Sequence, residues 1–402
     1  MSFENKVTPV LQKWTKDDQI PMIVGGVVSQ KGIEYLHAEG VNDTANRDNK
    51  TTTETIFDLY SLSKAITTTA MVQLLDSGVV GIDDLVETYV SEMKDFQMIK
   101  DFDDDGKPIL TKPINKPTIR NLLTHTAGLA YAFFDTKELQ MFRYIRKNKI
   151  KRPLGGEIPT AYVHEPGTQF LYGSSTDVAG KVIERVSNQT LEEYFQDHIF
   201  KPLGMNHTSF IRTPEKLQNK AKVHRRVDGG FKKGPEFKNP DSNLYQGGSG
   251  LRGTIGDFLK FLQVFLNDGC SADGKQIISK EALHKYSFAN LVPPDISLDS
   301  DLGLLQPHEA LLMTFLNELP KGKQGWTASF YKLDVPLPTG RKEGSFMWSG
   351  LANLFYWIDP KSGIAGVFAT QVLPFFDVTA INAYIEFETA VYDSITSSQS
   401  KL

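Results

Sequence analysis

The chain begins with charged and apolar residues mixed at a helical period over 7–18, which predicts a first helix. Met22-Ile23-Val24-Gly25-Gly26-Val27-Val28 is an apolar run, and Ser29-Gln30-Lys31-Gly32 is a turn signal. Ile33-Glu34-Tyr35-Leu36-His37 follows, so a hairpin is expected at the start of an antiparallel sheet. A polar loop at 42–54 comes next. Leu62, Ala65, Ile66, Ala70, Met71, Leu74 and Leu75 then fall mostly on one broad face of a helix that Gly78 stops. Residues 117–209 read mainly as helices and loops, with helices at 176–187 and 190–199. The segment 212–245 is polar and rich in Gly and Lys, as a surface excursion would be, and a helix is expected over 257–266. The tail returns to strands: Phe346–Gly350, then Leu354–Ile358 and Ile364–Thr370 joined by the turn Asp359-Pro360-Lys361-Ser362-Gly363. A last helix covers 378–395. Strands at both ends with helices between them predict one composite α/β (α+β) fold.

Composition narrows the function. The chain has 402 residues, 40% hydrophobic and 23% charged, with a net charge of −4. With a pI near 6.1 it gives no sign of nucleic-acid binding. One cysteine, Cys270, excludes an internal disulfide and is a poor basis for a zinc site. No stretch approaches the ~18–20 apolar residues of a membrane span, and the N-terminus lacks the apolar core of a signal peptide. The chain ends Ser400-Lys401-Leu402, the tripeptide read by the peroxisomal import receptor. Peroxisomal localisation is therefore expected, and a cytoplasmic one if the tripeptide is not read. Asp101-x-Asp103-x-Asp105-Gly106 resembles half of a calcium loop, but Lys112 stands where the bidentate Glu belongs, so an acidic surface turn is expected.

The chemistry starts at Tyr60-Ser61-Leu62-Ser63-Lys64. Ser61 and Lys64 lie three apart, hence one turn apart on a helix face. A serine hydroxyl is a weak nucleophile until a base takes its proton, and a desolvated lysine can do so. Ser63 is adjacent to Lys64 and faces elsewhere. His125 has no G-x-S-x-G frame to serve and is expected to be structural. Gly247-Gly248-Ser249-Gly250 lacks the Lys-[ST] of a phosphate loop and is expected to let backbone approach the site.

Three motifs in order, S-x-x-K at Ser61, Tyr172-Gly173-Ser174 and Trp348-Ser349-Gly350, make the chain resemble the serine β-lactamase-related family. That family includes class C β-lactamases, D-alanyl-D-alanine carboxypeptidases, family VIII carboxylesterases and fungal lovastatin-type acyltransferases. The resemblance covers roughly 20–390 and includes Asn121–Leu129, Pro166–Ser175, Phe200–Met205 and Gly247–Leu251. It implies a β-lactamase/transpeptidase-like fold, an antiparallel sheet flanked by helices. An α/β domain of 1–65 and 246–402 and a mainly helical domain of 66–245 would enclose the site in their cleft. It further implies that Ser61 is the acyl-forming nucleophile, Lys64 the amine that deprotonates it, and Tyr172 the phenol that relays protons. A tyrosine can do this when nearby positive charge lowers its pKa from about 10. The backbone N–H groups of Ser61 and Leu351 match the oxyanion hole. Tyr60, Ser174, Trp348, Ser349 and Gly350 would contact substrate, with Ser174 where class C enzymes carry Asn.

The third motif departs from the usual K-T-G or H-x-G. Trp348 offers no positive charge for a carboxylate, so β-lactamase and peptidase activity should be weak and neutral esters preferred. The expected activity is hydrolysis of carboxylic esters through an acyl-Ser61 intermediate, with no metal or organic cofactor. The alternatives are an acyltransferase moving an acyl group from an ester or thioester to an alcohol, and a silent relative that only binds ligand.

Overall fold

The computed structural model describes residues 3–156, 158–211, 213–214, 218–236, 245–298 and 322–399. In chain order, the elements that place the site are helix α1 (Glu4–Thr15), strands β1 (Met22–Ser29) and β2 (Gly32–Gly40), and helices α2 (Ser63–Asp76), α3 (Thr136–Lys147), α4 (Ser175–Ser187) and α5 (Ile255–Gln263). Strands β3 (Gln324–Trp326), β4 (Tyr331–Leu333), β5 (Ser345–Gly350), β6 (Leu354–Asp359) and β7 (Ile364–Ala369) follow, then helix α6 (Val378–Gln399).

The seven strands form one antiparallel sheet in the order β3-β4-β5-β6-β7-β1-β2. Gly25 and Gly26 show how both faces are covered. Successive residues of a strand point to opposite faces. A Cβ on Gly25 would come within 2.6 Å of Phe387 in α6 and 3.2 Å of Leu11 in α1. A Cβ on Gly26 would come within 2.5 Å of Leu259 in α5. The glycine pair thus lets α1 and α6 pack on one face and α5 on the other. Trp14 Nε1 and Lys13 Nζ both donate to Glu386 at 2.7 Å, tying α1 to α6.

One continuous buried cluster runs from Phe3 through α2 and α4 to α6. The predicted hairpin and the three C-terminal strands stand where the pattern put them. The helix over 7–18 is shifted to Glu4–Thr15, and the one over 257–266 to Ile255–Gln263. The expectation for α2 needs correction. It is not amphipathic: its residues from Ser63 to Val72 are all buried, including Thr67, Thr68 and Thr69. Each threonine hydroxyl bonds to a backbone carbonyl, which lets a polar residue sit in the core. The acidic turn at 103–106 joins strands Gln97–Phe102 and Pro108–Thr111, with the Asp103 carboxylate accepting from the N–H of Asp105 and Lys107. The segment 212–245 includes a hairpin of its own, His224–Val227 with Gly230–Lys233, and part of it lies outside the described residues. No helix among the described residues is long and apolar enough to cross a membrane.

Candidate active site

Ser61 sits in a single tight turn, Tyr60–Leu62, that leads directly into α2. Tyr60 has φ 47°, a left-handed conformation that costs a tyrosine energy and is kept only where the surroundings hold it. They do: Leu59 N–H donates to Leu251 O, Leu251 N–H donates to Ser63 Oγ, and Leu62 N–H donates to Leu59 O. Ser61 is partly exposed while its neighbours on both sides are buried. Tyr60 itself is 2% exposed. Burial raises its phenol pKa, and the Asp58 charge adds to the rise. It therefore shapes the turn that presents Ser61.

Lys64 Nζ has three oxygen partners. It lies 3.2 Å from Ser61 Oγ, 3.0 Å from Tyr131 OH and 2.8 Å from Gly248 O. It also lies 4.9 Å from the centre of the Tyr172 ring. Tyr131 has no motif around it, and sequence reasoning missed it; only the aromatic run Tyr131, Phe133 and Phe134 marked the place. Gly248 reaches Lys64 because it has no side chain: a Cβ there would meet Asp177 Oδ2 at 2.7 Å and Tyr131 OH at 3.0 Å. Gly248 N–H donates to Asp177 Oδ1 at 2.9 Å, and Thr67 Oγ1 donates to Gly247 O at 2.7 Å. The glycine stretch is thus a close backbone approach.

Tyr172 is held by a laced pair of segments. Leu171 N–H donates to His125 O, Gly173 N–H donates to His125 Nδ1, and Ser174 N–H donates to Leu129 O. Gly173 allows this, since a Cβ would fall 2.0 Å from Leu129 O. His125 is fully buried, and burial followed by the Lys64 charge drives its pKa well below 6.5. It is a neutral acceptor, in line with a structural role.

Trp348 Nε1 donates to Tyr172 OH at 2.9 Å. Trp326 stands edge-on to Trp348 at 4.6 Å and anchors its own indole N–H on Leu123 O. Phe134 and Tyr131 complete an aromatic wall around Tyr172. The end of β5 lies against the Ser61 turn, because a Cβ on Gly350 would be 3.0 Å from Leu59 O and 3.2 Å from Leu62. That brings the following residue, Leu351, beside the serine.

Two of the expected substrate residues are placed away from the Lys64 amine. Ser349 pairs with Phe355, so the pleat places both on the α6 side, where Phe355 stacks on Tyr384. Its main chain, not its hydroxyl, is left for substrate. Ser174 is 1% exposed, and its hydroxyl has no hydrogen-bond partner among the described residues. It neither caps α4 nor bonds Lys64, and Tyr131 is the residue that meets the amine. Among the described residues no group of three or more His, Cys, Asp or Glu could hold a metal ion.

The sequence matches the Beta-lactamase family over residues 9–390. It is 26% identical to monacolin J acid methylbutanoyltransferase of Aspergillus terreus, across 95% of this chain and 94% of that protein. It is 30% identical to lovastatin esterase of Penicillium rubens, across 79% of each. The unliganded simvastatin synthase LovD of Aspergillus terreus superposes with a TM-score of 0.83 at 25% identity, covering 98% of this chain and 99% of that one.

Proposed function

The chain belongs to the beta-lactamase family, and from that premise we propose that it cleaves carboxylic esters through an acyl-Ser61 intermediate. The Lys64 geometry carries this proposal. An amine that loses one proton keeps two N–H groups, one for Gly248 O and one for Tyr131 OH, and turns its lone pair to Ser61 Oγ. It can then take the serine proton without moving. Ser61 Oγ attacks the ester carbonyl, and the backbone N–H groups of Ser61 and Leu351 receive the developing negative charge. Each such donor contributes on the order of 3 kcal/mol to transition-state stabilisation. Tyr172 OH accepts from Trp348, so its own proton is directed elsewhere, toward the leaving oxygen. The acyl-enzyme is resolved by water, or by an alcohol where one is bound.

Trp348 and Gly350 line the site. The aromatic wall of Trp348, Trp326 and Phe134 favours neutral acyl groups over carboxylated ones, so β-lactams should be poor substrates. The cleft between the 1–65/246–402 and 66–245 segments holds the substrate in this proposal. The transferase reading is supported by the methylbutanoyltransferase relative. Peroxisomal import belongs to the same proposal; Ser400-Lys401-Leu402 lie outside the described residues. A fluorescent fusion with and without these three residues tests import.

A fluorophosphonate probe tests the nucleophile. It should label the wild type and fail to label Ser61→Ala. Equal labelling of both proteins would rule Ser61 out. Free acid and acylated alcohol measured against added alcohol separate hydrolysis from transfer.

A further inference from the structure

Ten consecutive residues, 143–152, carry Arg143, Arg146, Lys147, Lys149, Lys151 and Arg152 and no carboxylate, in a chain whose net charge is −4. The segment begins within α3 and continues past its end at Lys147. Arg143, Arg146, Lys147, Lys149 and Lys151 are exposed, and none of the five has a carboxylate partner among the described residues. Cations in a last helical turn are favoured by the helix dipole. The dipole accounts for Arg146 and Lys147, but its reach ends before Lys149 and Lys151. The cluster therefore goes beyond helix stability.

Its position relative to the site is set by packing. Met141 and Ile145 of α3 share a buried cluster with Ala130 and Leu171, the chain neighbours of Tyr131 and Tyr172. Ala130 also bridges to Gly173. The backbone N–H of Asp135, which caps α3, donates to Tyr131 O. The helix thus starts at the aromatic wall and runs about 18 Å over its 12 residues, with its cations spread from Arg143, about 10 Å along it, to beyond its end. From Tyr131 a stacked ring step at 5.0 Å leads to Phe133, which is 40% exposed. A carbonyl at Ser61 joined by a slender arm to a polyanion would meet an apolar path first and cations at the end.

We propose that Arg143, Arg146, Lys147, Lys149 and Lys151 bind the phosphates of a coenzyme A thioester whose acyl carbonyl is delivered to Ser61. The inference rests on the acyl-transfer reading of the site and names its donor. An extended pantetheine arm spans about 16 Å, roughly five residue lengths of extended chain, which matches the reach of α3. The pyrophosphate and the ribose phosphate suit a mixed set of guanidinium forks and ammonium groups. In the transfer step a bond forms between Ser61 Oγ and the carbonyl carbon, and the C–S bond breaks. Lys64 takes the proton given up by Ser61, the departing thiolate takes the Tyr172 proton and leaves as coenzyme A thiol, and Lys64 restores the proton to Tyr172.

The test compares the wild type with a variant carrying Arg143→Gln, Arg146→Gln, Lys147→Gln, Lys149→Gln and Lys151→Gln, which leaves the reacting groups in place. Each is assayed with butyryl-coenzyme A, with the butyryl thioester of N-acetylcysteamine, and with p-nitrophenyl butyrate. Binding of adenosine 3′,5′-bisphosphate is measured directly by calorimetry. The expected result is a loss of about tenfold or more in kcat/KM for the coenzyme A thioester alone. The other two substrates should be unchanged, and the bisphosphate should bind the wild type and not the variant. An unchanged coenzyme A rate in the variant, or an equal loss on the short thioester, overturns the proposal. So does charge-dependent binding to vesicles of anionic lipid without competition by the bisphosphate, which would assign the segment to a membrane surface. If the wild type turns over none of the three substrates, the acyl-transfer reading fails by itself. Bisphosphate binding then still decides whether the segment holds phosphates.

Discussion

The indole N–H of Trp348 donates to the phenol oxygen of Tyr172 at 2.9 Å, with the two rings 4.8 Å apart. The residue that stands where the usual motif has lysine or histidine thus bonds to the tyrosine. Trp348→Phe keeps most of the apolar wall and removes the donor. A lost buried hydrogen bond is worth about 1–3 kcal/mol. We expect kcat on p-nitrophenyl esters to fall about ten- to a hundredfold with KM little changed. Steady-state kinetics check this, and an unchanged kcat would contradict the role given to the indole.

The two phenols should be separable. Tyr172→Phe removes a proton-transfer group and should lower kcat by about 10²–10⁴. Tyr131→Phe removes the oxygen that accepts from Lys64 and keeps a ring 5.2 Å from the amine. Its effect should be about tenfold, because the amine loses an oxygen partner. If Tyr131→Phe proves the more damaging, the roles of the two phenols must be exchanged.

Gly350 is constrained by space alone. A Cβ there would stand 3.0 Å from Leu59 O, tighter than ordinary packing. Gly350→Ala should push the end of β5 from the Ser61 turn and misplace the Leu351 N–H. A misplaced oxyanion donor costs about 10²–10³ in kcat. Activity and thermal unfolding together check this: kcat should drop far more than stability does.

Stability should depend on pH through His125. Burial, then the nearby Lys64 charge, depresses its pKa in the folded state. The unfolded chain therefore binds a proton near pH 6.5 that the folded chain refuses, so stability is full above that pH and falls as pH drops below it. The slope can reach about 1.4 kcal/mol per pH unit for one such group. Urea unfolding at pH 7.5 and 5.5 measures it. His125→Asn, which tolerates the positive φ of 55°, should reduce the dependence, and what remains comes in part from His164 and His224, whose pKa values burial also lowers.

Much of the scaffold was legible where side-chain periodicity decides the outcome. The β1–β2 hairpin and strands β5 to β7 are apolar runs closed by turn residues, and they folded as read. Strands β3 and β4 were not foreseen, being three residues each, too short to show alternation. The small sheet of Gln97–Phe102, Pro108–Thr111 and Ala161–Tyr162 escaped notice because Ala161 pairs with Gln97 from far along the chain. At the site, the Ser61–Lys64 spacing and the Trp348 strand were local signals and could be read. Tyr131 could not, because its closeness to Lys64 depends on Gly248 having no side chain. The face that Ser349 takes depends on the register with Phe355, since a one-residue difference along a strand changes the face.

The central claim is that Ser61 carries the acyl group. Intact-mass spectrometry of the protein mixed with p-nitrophenyl esters of increasing chain length, an acyl-coenzyme A and a penicillin tests it directly. The wild type should gain the mass of one acyl group from esters and from the thioester, with little or no penicilloyl adduct. Ser61→Ala should gain none. An acyl adduct that persists in Ser61→Ala, or a wild type that turns over esters without acquiring one, would contradict the account.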